Sequence, residues 1–169
     1  MHSKHIRKLV YSAMFCALVF TATWLSFPSP FGGNVNLGDS ILLLGAWMLG
    51  GPWSIIACAA GAALTDILSG YALYAPATLI IKALMVLTAI LSLKLFSKLP
   101  AIARTVLSAT LAELVMVLGY FAYEGFFLYG FGASALNIPF NLIQGGVAIA
   151  IAVLLQTLLS HARLPKDLN

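Results

Sequence analysis

Residues 37–68 read LGDSILLLGAWMLGGPWSIIACAAGAALTDIL, and how this stretch is divided decides the fold. It is apolar almost throughout. Undivided, it is one overlong helix; cut at Gly50-Gly51-Pro52, it is two short ones. Paired glycines followed by proline are a strong breaker. Glycine frees the backbone, and proline disfavours helix at the residue before it and lacks an amide donor. Proline is also at home at the first position of a new helix. The stretch is therefore read as two helices, about 37–50 and 52–68, joined by a tight hairpin.

The rest of the chain shares this apolar character. Of 169 residues, 62% are hydrophobic and 8% charged, with nine Lys and Arg against five Asp and Glu for a net charge of +4. A typical soluble protein is roughly 45–50% apolar and about 25% charged. So few charges cannot cover a soluble surface, and this much apolar side chain excludes disorder. No basic run lies along a polar face as a nucleic-acid binder requires. The composition predicts an all-α integral membrane protein.

A membrane span takes about 20 apolar residues. Six fit the chain, at about 9–27, 37–50, 52–68, 75–95, 101–123 and 136–160, as a single membrane domain. The positive-inside rule tests the hairpin. Lys4, Arg7 and Lys8 precede the first span, Lys94, Lys98 and Arg104 lie between the fourth and fifth, and Arg163 and Lys166 follow the sixth. With six spans all eight fall on one face, which places both termini in the cytoplasm. With five, the middle cluster falls opposite the first. The outer face then carries Asp39, Asp66 and Glu124 and no Lys or Arg. The remaining basic residue, Lys82, is inside the fourth span.

Other signals are weak. The first apolar stretch is longer than the core of a usual signal peptide and lacks a clear small-x-small cleavage site. Cys16 and Cys58 read as small buried hydrophobes. His2, His5 and His161 have no ligand spacing, so no metal site and no cofactor is expected. No G-x-x-x-x-G-K-[ST] phosphate loop is present, and ATP hydrolysis by that route is not expected.

Polar groups within hydrocarbon are costly, so their register is informative. Asn137, Asn141, Gln144 and Ala148 fall on one helix face. Glu113, Tyr120 and Glu124 fall on another, with Met116 or Val117 in the turn between. Thr78, Lys82 and Met85 form a third stripe, and Cys58, Ala62 and Asp66 a fourth. At 1.5 Å per residue, Lys82 lies roughly 10 Å and Glu113 roughly 16 Å from the outer end of its span. Two readings follow. Either Lys82 and Glu113 form an ion pair between helices, or Lys82 snorkels; alternatively Lys82, the carboxylates and the amides line an outward-opening cavity. The outer connection SFPSPFGGNVN at 26–36, with its prolines and glycines, brings Asn34, Asn36 and Asp39 toward such a cavity. The Gly- and aromatic-rich connections at 70–74 and 125–134 supply Tyr71, Tyr74, Phe126, Phe127, Tyr129 and Phe131, either as interface anchors or as walls for a flat ligand. In the first helix, Ala13 and Ala17 are small residues one turn apart, a spacing that permits close helix contact.

Several segments carry a resemblance. Ala13-Met-Phe-Cys-Ala17 after a basic N-terminus, the long first outer loop, the very short second connection, Pro76-Ala-Thr-Leu-Ile-Ile-Lys82-Ala, Ala112-Glu113-Leu-Val-Met-Val-Leu-Gly-Tyr120 and Asn137-Ile-Pro-Phe-Asn141-Leu-Ile-Gln144-Gly are involved. Over nearly its whole length the chain resembles the substrate-binding S component of an energy-coupling factor (ECF) vitamin transporter, and in those last segments the hydroxymethylpyrimidine/pyridoxine-type branch. The resemblance implies a prokaryotic plasma-membrane protein that binds a vitamin from outside. Its implied partners are a membrane coupling (T) subunit and two ABC ATPases, and delivery is by toppling in the membrane. It implies ligand contacts at Asn34, Asn36, Asp39, Tyr74, Lys82, Glu113, Tyr120, Asn137, Asn141 and Gln144, with Glu113 either touching ligand or holding Lys82, and docking at Ala13 and Ala17. A small hydroxylated heterocycle fits these groups; pantothenate or riboflavin is the alternative. The rival classes are a self-sufficient carrier or channel, against which the halves show no repeat, and a membrane enzyme. For an enzyme, no His, Ser or Cys lies in register with Glu113 and Glu124.

Overall fold

At the hairpin, Gly50 and Gly51 adopt φ of 54° and 94°, left-handed conformations that a side chain would disfavour. Pro52 then opens the next helix. The chain turns back there, as the breaker predicts. The computed structural model describes the backbone of residues 2–28 and 34–161 and the side chains of 5–27 and 35–160.

Helix α1 is His2–Trp24, followed by strand β1 (Ser26–Pro28) paired antiparallel with β2 (Asn34–Asn36). Then come α2 (Gly38–Leu49), α3 (Pro52–Leu68), α4 (Ala75–Leu95) and α5 (Ala101–Tyr123). The last of these continues into one wider π-type turn, Glu124–Leu128, before the short α6 (Phe131–Ala135) and the long α7 (Ile138–His161). Two expected boundaries shift. The first helix ends at Trp24 rather than 27, because Phe27 precedes Pro28 and takes the extended backbone of a residue before proline. The sixth unit begins at Ile138 rather than 136, because a separate turn of helix, α6, occupies the approach.

Among the described residues, four helical stretches are long and apolar enough to cross a membrane: His5–Trp24, Ala75–Leu95, Ala101–Leu128 and Phe131–Ser160. Helices α2 and α3 are shorter. At 12 residues, α2 is roughly 18 Å long against a hydrocarbon core of about 30 Å. Beyond its first turn, which carries Asp39 and Ser40, it is apolar all round because it is surrounded. It touches α1, α3, α4 and α7, and the outer helices pack in the order α1–α3–α4–α5–α7 around it. Leu42 and Leu43 are fully buried at its centre, with Val19, Met85, Met116 and Ala152 from four other helices. Close approach is set by small residues. A Cβ at Gly61 of α3 would run into the Cys16 carbonyl of α1, and Thr65 Oγ1 lies 3.1 Å from the Phe20 carbonyl of the same helix. The outward surface is apolar, with Ile80, Leu84, Leu87 and Leu91 exposed along α4. The molecule is an all-α integral membrane protein.

Helix α1 turns Ser12, Phe15 and Val19 to the core and leaves Ala13 and Ala17 exposed. The alanine pair is therefore not an internal helix contact.

Candidate functional site

All four polar stripes face inward. Thr78, Lys82 and Met85 are buried, as are Glu113, Met116, Glu124, Asn137, Gln144 and Ala148. Their polar members other than Glu113 gather into two groups at different levels along the helices, and the one nearer the helix ends, at Glu124, is termed the outer group.

The deeper group centres on Asp39, in the first turn of α2, where the helix dipole favours a carboxylate. The local chain places it: Asn36 Oδ1 accepts the Gly38 N–H at 2.9 Å, a side-chain turn that starts the helix. The Asn36 N–H in turn donates to Gln144 Oε1 of α7 at 2.9 Å. Gln144 Nε2 donates to Asp39 Oδ2 at 2.6 Å, and Lys82 Nζ donates to Asp39 Oδ1 at 2.5 Å. Lys82 Nζ also lies 5.5 Å from the centre of the Tyr120 ring, a cation–π arrangement. The Tyr120 hydroxyl is 3.0 Å from Thr78 Oγ1. Asp66 of α3, half-buried, is within electrostatic reach of Lys82.

Of the two readings of Lys82, this removes the one that pairs it with Glu113. Depth along two helices does not say which neighbour lies between them. Helix α2 packs against both α4 and α7 and brings Asp39 to Lys82. Glu113 is left 4% exposed with neither carboxylate oxygen hydrogen-bonded.

The outer group centres on Glu124, at the start of the π turn. Its Oε1 accepts from the Tyr74 hydroxyl at 3.2 Å. Its Oε2 accepts from Asn137 Nδ2 at 2.9 Å and lies 3.4 Å from Ser134 Oγ. Tyr74 and Tyr129 hydroxyls are 3.2 Å apart, and the Tyr123 hydroxyl donates to the Leu73 carbonyl at 2.5 Å. Burial, then Tyr129 and the Glu124 carboxylate, push the Tyr74 phenol above its ordinary value of 10.0, so it remains a donor. The Tyr74 ring stands edge-on to Tyr123 with centroids 5.8 Å apart.

Of the residues expected at the site, Asn36, Asp39, Lys82, Tyr120 and Gln144 come together in the deeper group and Tyr74 and Asn137 in the outer one. The Asn34 side chain lies outside the described residues. Asn141 is half-buried one turn from Asn137, and among the described residues its side chain bonds to neither group. The sequence reading leaves out Glu124, Tyr129 and Ser134 as site residues. The register of Glu124 with Tyr120 and Glu113 was the available signal for the first, and the aromatic-rich connection at 125–134 marks Tyr129 as an anchor or a ligand wall; nothing in the sequence marks Ser134. A groove of about 570 Å³ lies at the far end of α4, lined by Thr88, Leu91, Ser92, Lys94 and Leu95. One helix forms it, and it shares no residue with either polar group.

A family model described as "ECF-type riboflavin transporter, S component" matches residues 3–161. Among solved structures, the chain is similar to one described as the S component of a bacterial ECF transporter, with TM-score 0.70, 23% identity and coverage of 93% of this chain and 97% of that one. At that identity the likeness establishes the fold. No curated protein matches.

Proposed function

The chain belongs to the family of ECF-type riboflavin transporter S components, and from this premise we propose that it is the vitamin-binding specificity subunit of an ECF importer, with riboflavin or a closely related flat heterocycle as ligand. The match over residues 3–161 carries this reading. The buried polar groups suit it: aromatic rings beside a few fixed donors and acceptors are how small-molecule sites are built. Hydroxymethylpyrimidine or pyridoxine, suggested by the sequence resemblance, ranks second. The family match favours the larger ring system.

In this proposal the polypeptide crosses the membrane six times, with α2 and α3 as short crossings inside the bundle, and both termini are cytoplasmic. The basic residues at Arg7 and Lys8, at Lys94, Lys98 and Arg104, and at the C-terminus support that orientation by the positive-inside rule. The two polar groups then open outward. The membrane is the prokaryotic plasma membrane, and uptake is driven by a coupling subunit and two ABC ATPases on which the exposed face of α1 docks. Ala13 and Ala17 leave that face flat enough for a partner helix. Toppling of the whole bundle would carry ligand across.

The test is reconstitution. Purified chain should bind riboflavin in calorimetry and take it up into liposomes only with the coupling subunit and ATPases present. Uptake by the chain alone overturns the assignment in favour of a self-sufficient carrier. Ala13→Trp or Ala17→Trp should abolish uptake while leaving ligand affinity unchanged; lost affinity instead removes the docking role.

A further inference from the structure

Among the described buried side chains, Lys82 is the one cation, while Asp39, Glu113 and Glu124 are three carboxyls. Lys82 is held by Asp39, and Gln144 bonds the other oxygen of the same carboxylate. Glu124 is satisfied by neutral donors. Glu113 differs from both. It is within electrostatic reach of Asp39 and Lys82, yet both of its oxygens lack a hydrogen bond and it is 4% exposed. Its stem lies against α7, where a Cβ built on Gly145 would come within 3.2 Å of Glu113 Cβ and Oε2. A buried carboxyl without a partner is costly, and groups left in that condition within a membrane mark function.

We propose that Glu113 is the specificity-determining group of the ligand site: it receives an N–H or O–H edge of a neutral or cationic heterocycle and turns away ligands that bring a carboxylate or phosphate. The proposal rests on the vitamin-binding reading above. A donor edge supplies the hydrogen bonds that Glu113 lacks, and a site built around such bonds rejects analogues without them. An anionic ligand would meet the Asp39 carboxylate with the nearest cation, Lys82, already paired to it, an arrangement that disfavours it by repulsion and desolvation.

Three forms of the full chain in lipid nanodiscs separate the outcomes: wild type, Glu113→Gln and Gly145→Ala. Riboflavin, pyridoxine and pantothenate are titrated by calorimetry, and ligand-free thermal stability is measured alongside. Wild type should bind a neutral vitamin and not pantothenate. Glu113→Gln keeps the side-chain shape but replaces one carboxyl oxygen by an amide NH2 where the ligand donates; it should weaken binding about tenfold, ~1.4 kcal/mol, without lowering the ligand-free melting temperature. Gly145→Ala, which crowds the Glu113 carboxyl without altering charge, should weaken binding severalfold. Wild type that binds pantothenate best, or variants that both bind the neutral vitamin with unchanged affinity, overturn this proposal and leave the vitamin-binding reading standing. Wild type that binds none of the three overturns both.

Discussion

Glu113 and Glu124 sit on one continuous helical stretch, eleven residues apart (124 minus 113), about 16 Å along a regular helix. Both are buried. Glu124 is satisfied: Tyr74 and Asn137 donate to it, and Ser134 stands by. Glu113 is not. The difference follows from the elements around them. Glu124 stands where connections and short helices converge, and these carry hydroxyls and an amide. Glu113 faces the Gly145 turn of α7, where the absence of a side chain leaves no group to bond it. Outside, polarity closes the protein on itself; inside, it is held in reserve. The comparison makes the outer group structural and the deep carboxyl functional, and mutations break the two in opposite ways.

The largest effect belongs to the ion pair that frees Glu113. Lys82→Ala strands the buried Asp39 carboxylate, and removing one partner of a buried pair costs about 3–5 kcal/mol. Thermal or denaturant unfolding in detergent should show this. Adding Asp39→Asn should recover a large part of the loss, since the stranded charge goes with it. Equal loss in single and double variants would mean that Lys82 stabilises by packing alone, and Asp39 would lose its place as the reason Glu113 is unpaired.

Much of this was legible in the sequence. The hairpin at Gly50-Gly51-Pro52 reads directly from residue types that define backbone geometry, and the inward faces of α4, α5 and α7 read from helical register. The partner of Lys82 did not. Register gives the direction a side chain takes from its own helix but not which helix stands opposite, and α2 carries its polar residues, Asp39 and Ser40, in its first turn alone, too few to make a stripe. Only packing shows that α2 lies against α4 and α7. The outer group was hidden for a related reason. The π turn at Glu124–Leu128 and the five-residue α6 have no periodicity long enough to read, yet they deliver Glu124, Tyr129 and Ser134 to one place.

A smaller effect separates the two carboxyls. In Glu124→Gln the new amide NH2 either faces Asn137 Nδ2, donor against donor, or faces the Tyr74 hydroxyl, which then gives up its bond as a donor to residue 124. Leaving a buried group unsatisfied costs about 1–3 kcal/mol, so the melting temperature should fall. Glu113→Gln, which has no existing bond to lose, should leave it level or raise it. Equal destabilisation by both changes would erase the distinction.

The smallest effect concerns the connection between α3 and α4. Tyr123→Phe removes the bond to the Leu73 carbonyl. That bond is largely open to solvent, and water replaces part of it, so the stability cost is about 0.5–1 kcal/mol. Its consequence should be kinetic. Leu73 adjoins Tyr74, which ties this connection to Glu124. If the outer group closes over the deep one, a looser connection opens more often, and ligand should associate and dissociate faster by similar factors with Kd little altered. Stopped-flow tryptophan fluorescence reads both rates. Faster dissociation with unchanged association would instead put Tyr123 in contact with bound ligand, and the outer group would join the binding site rather than cover it.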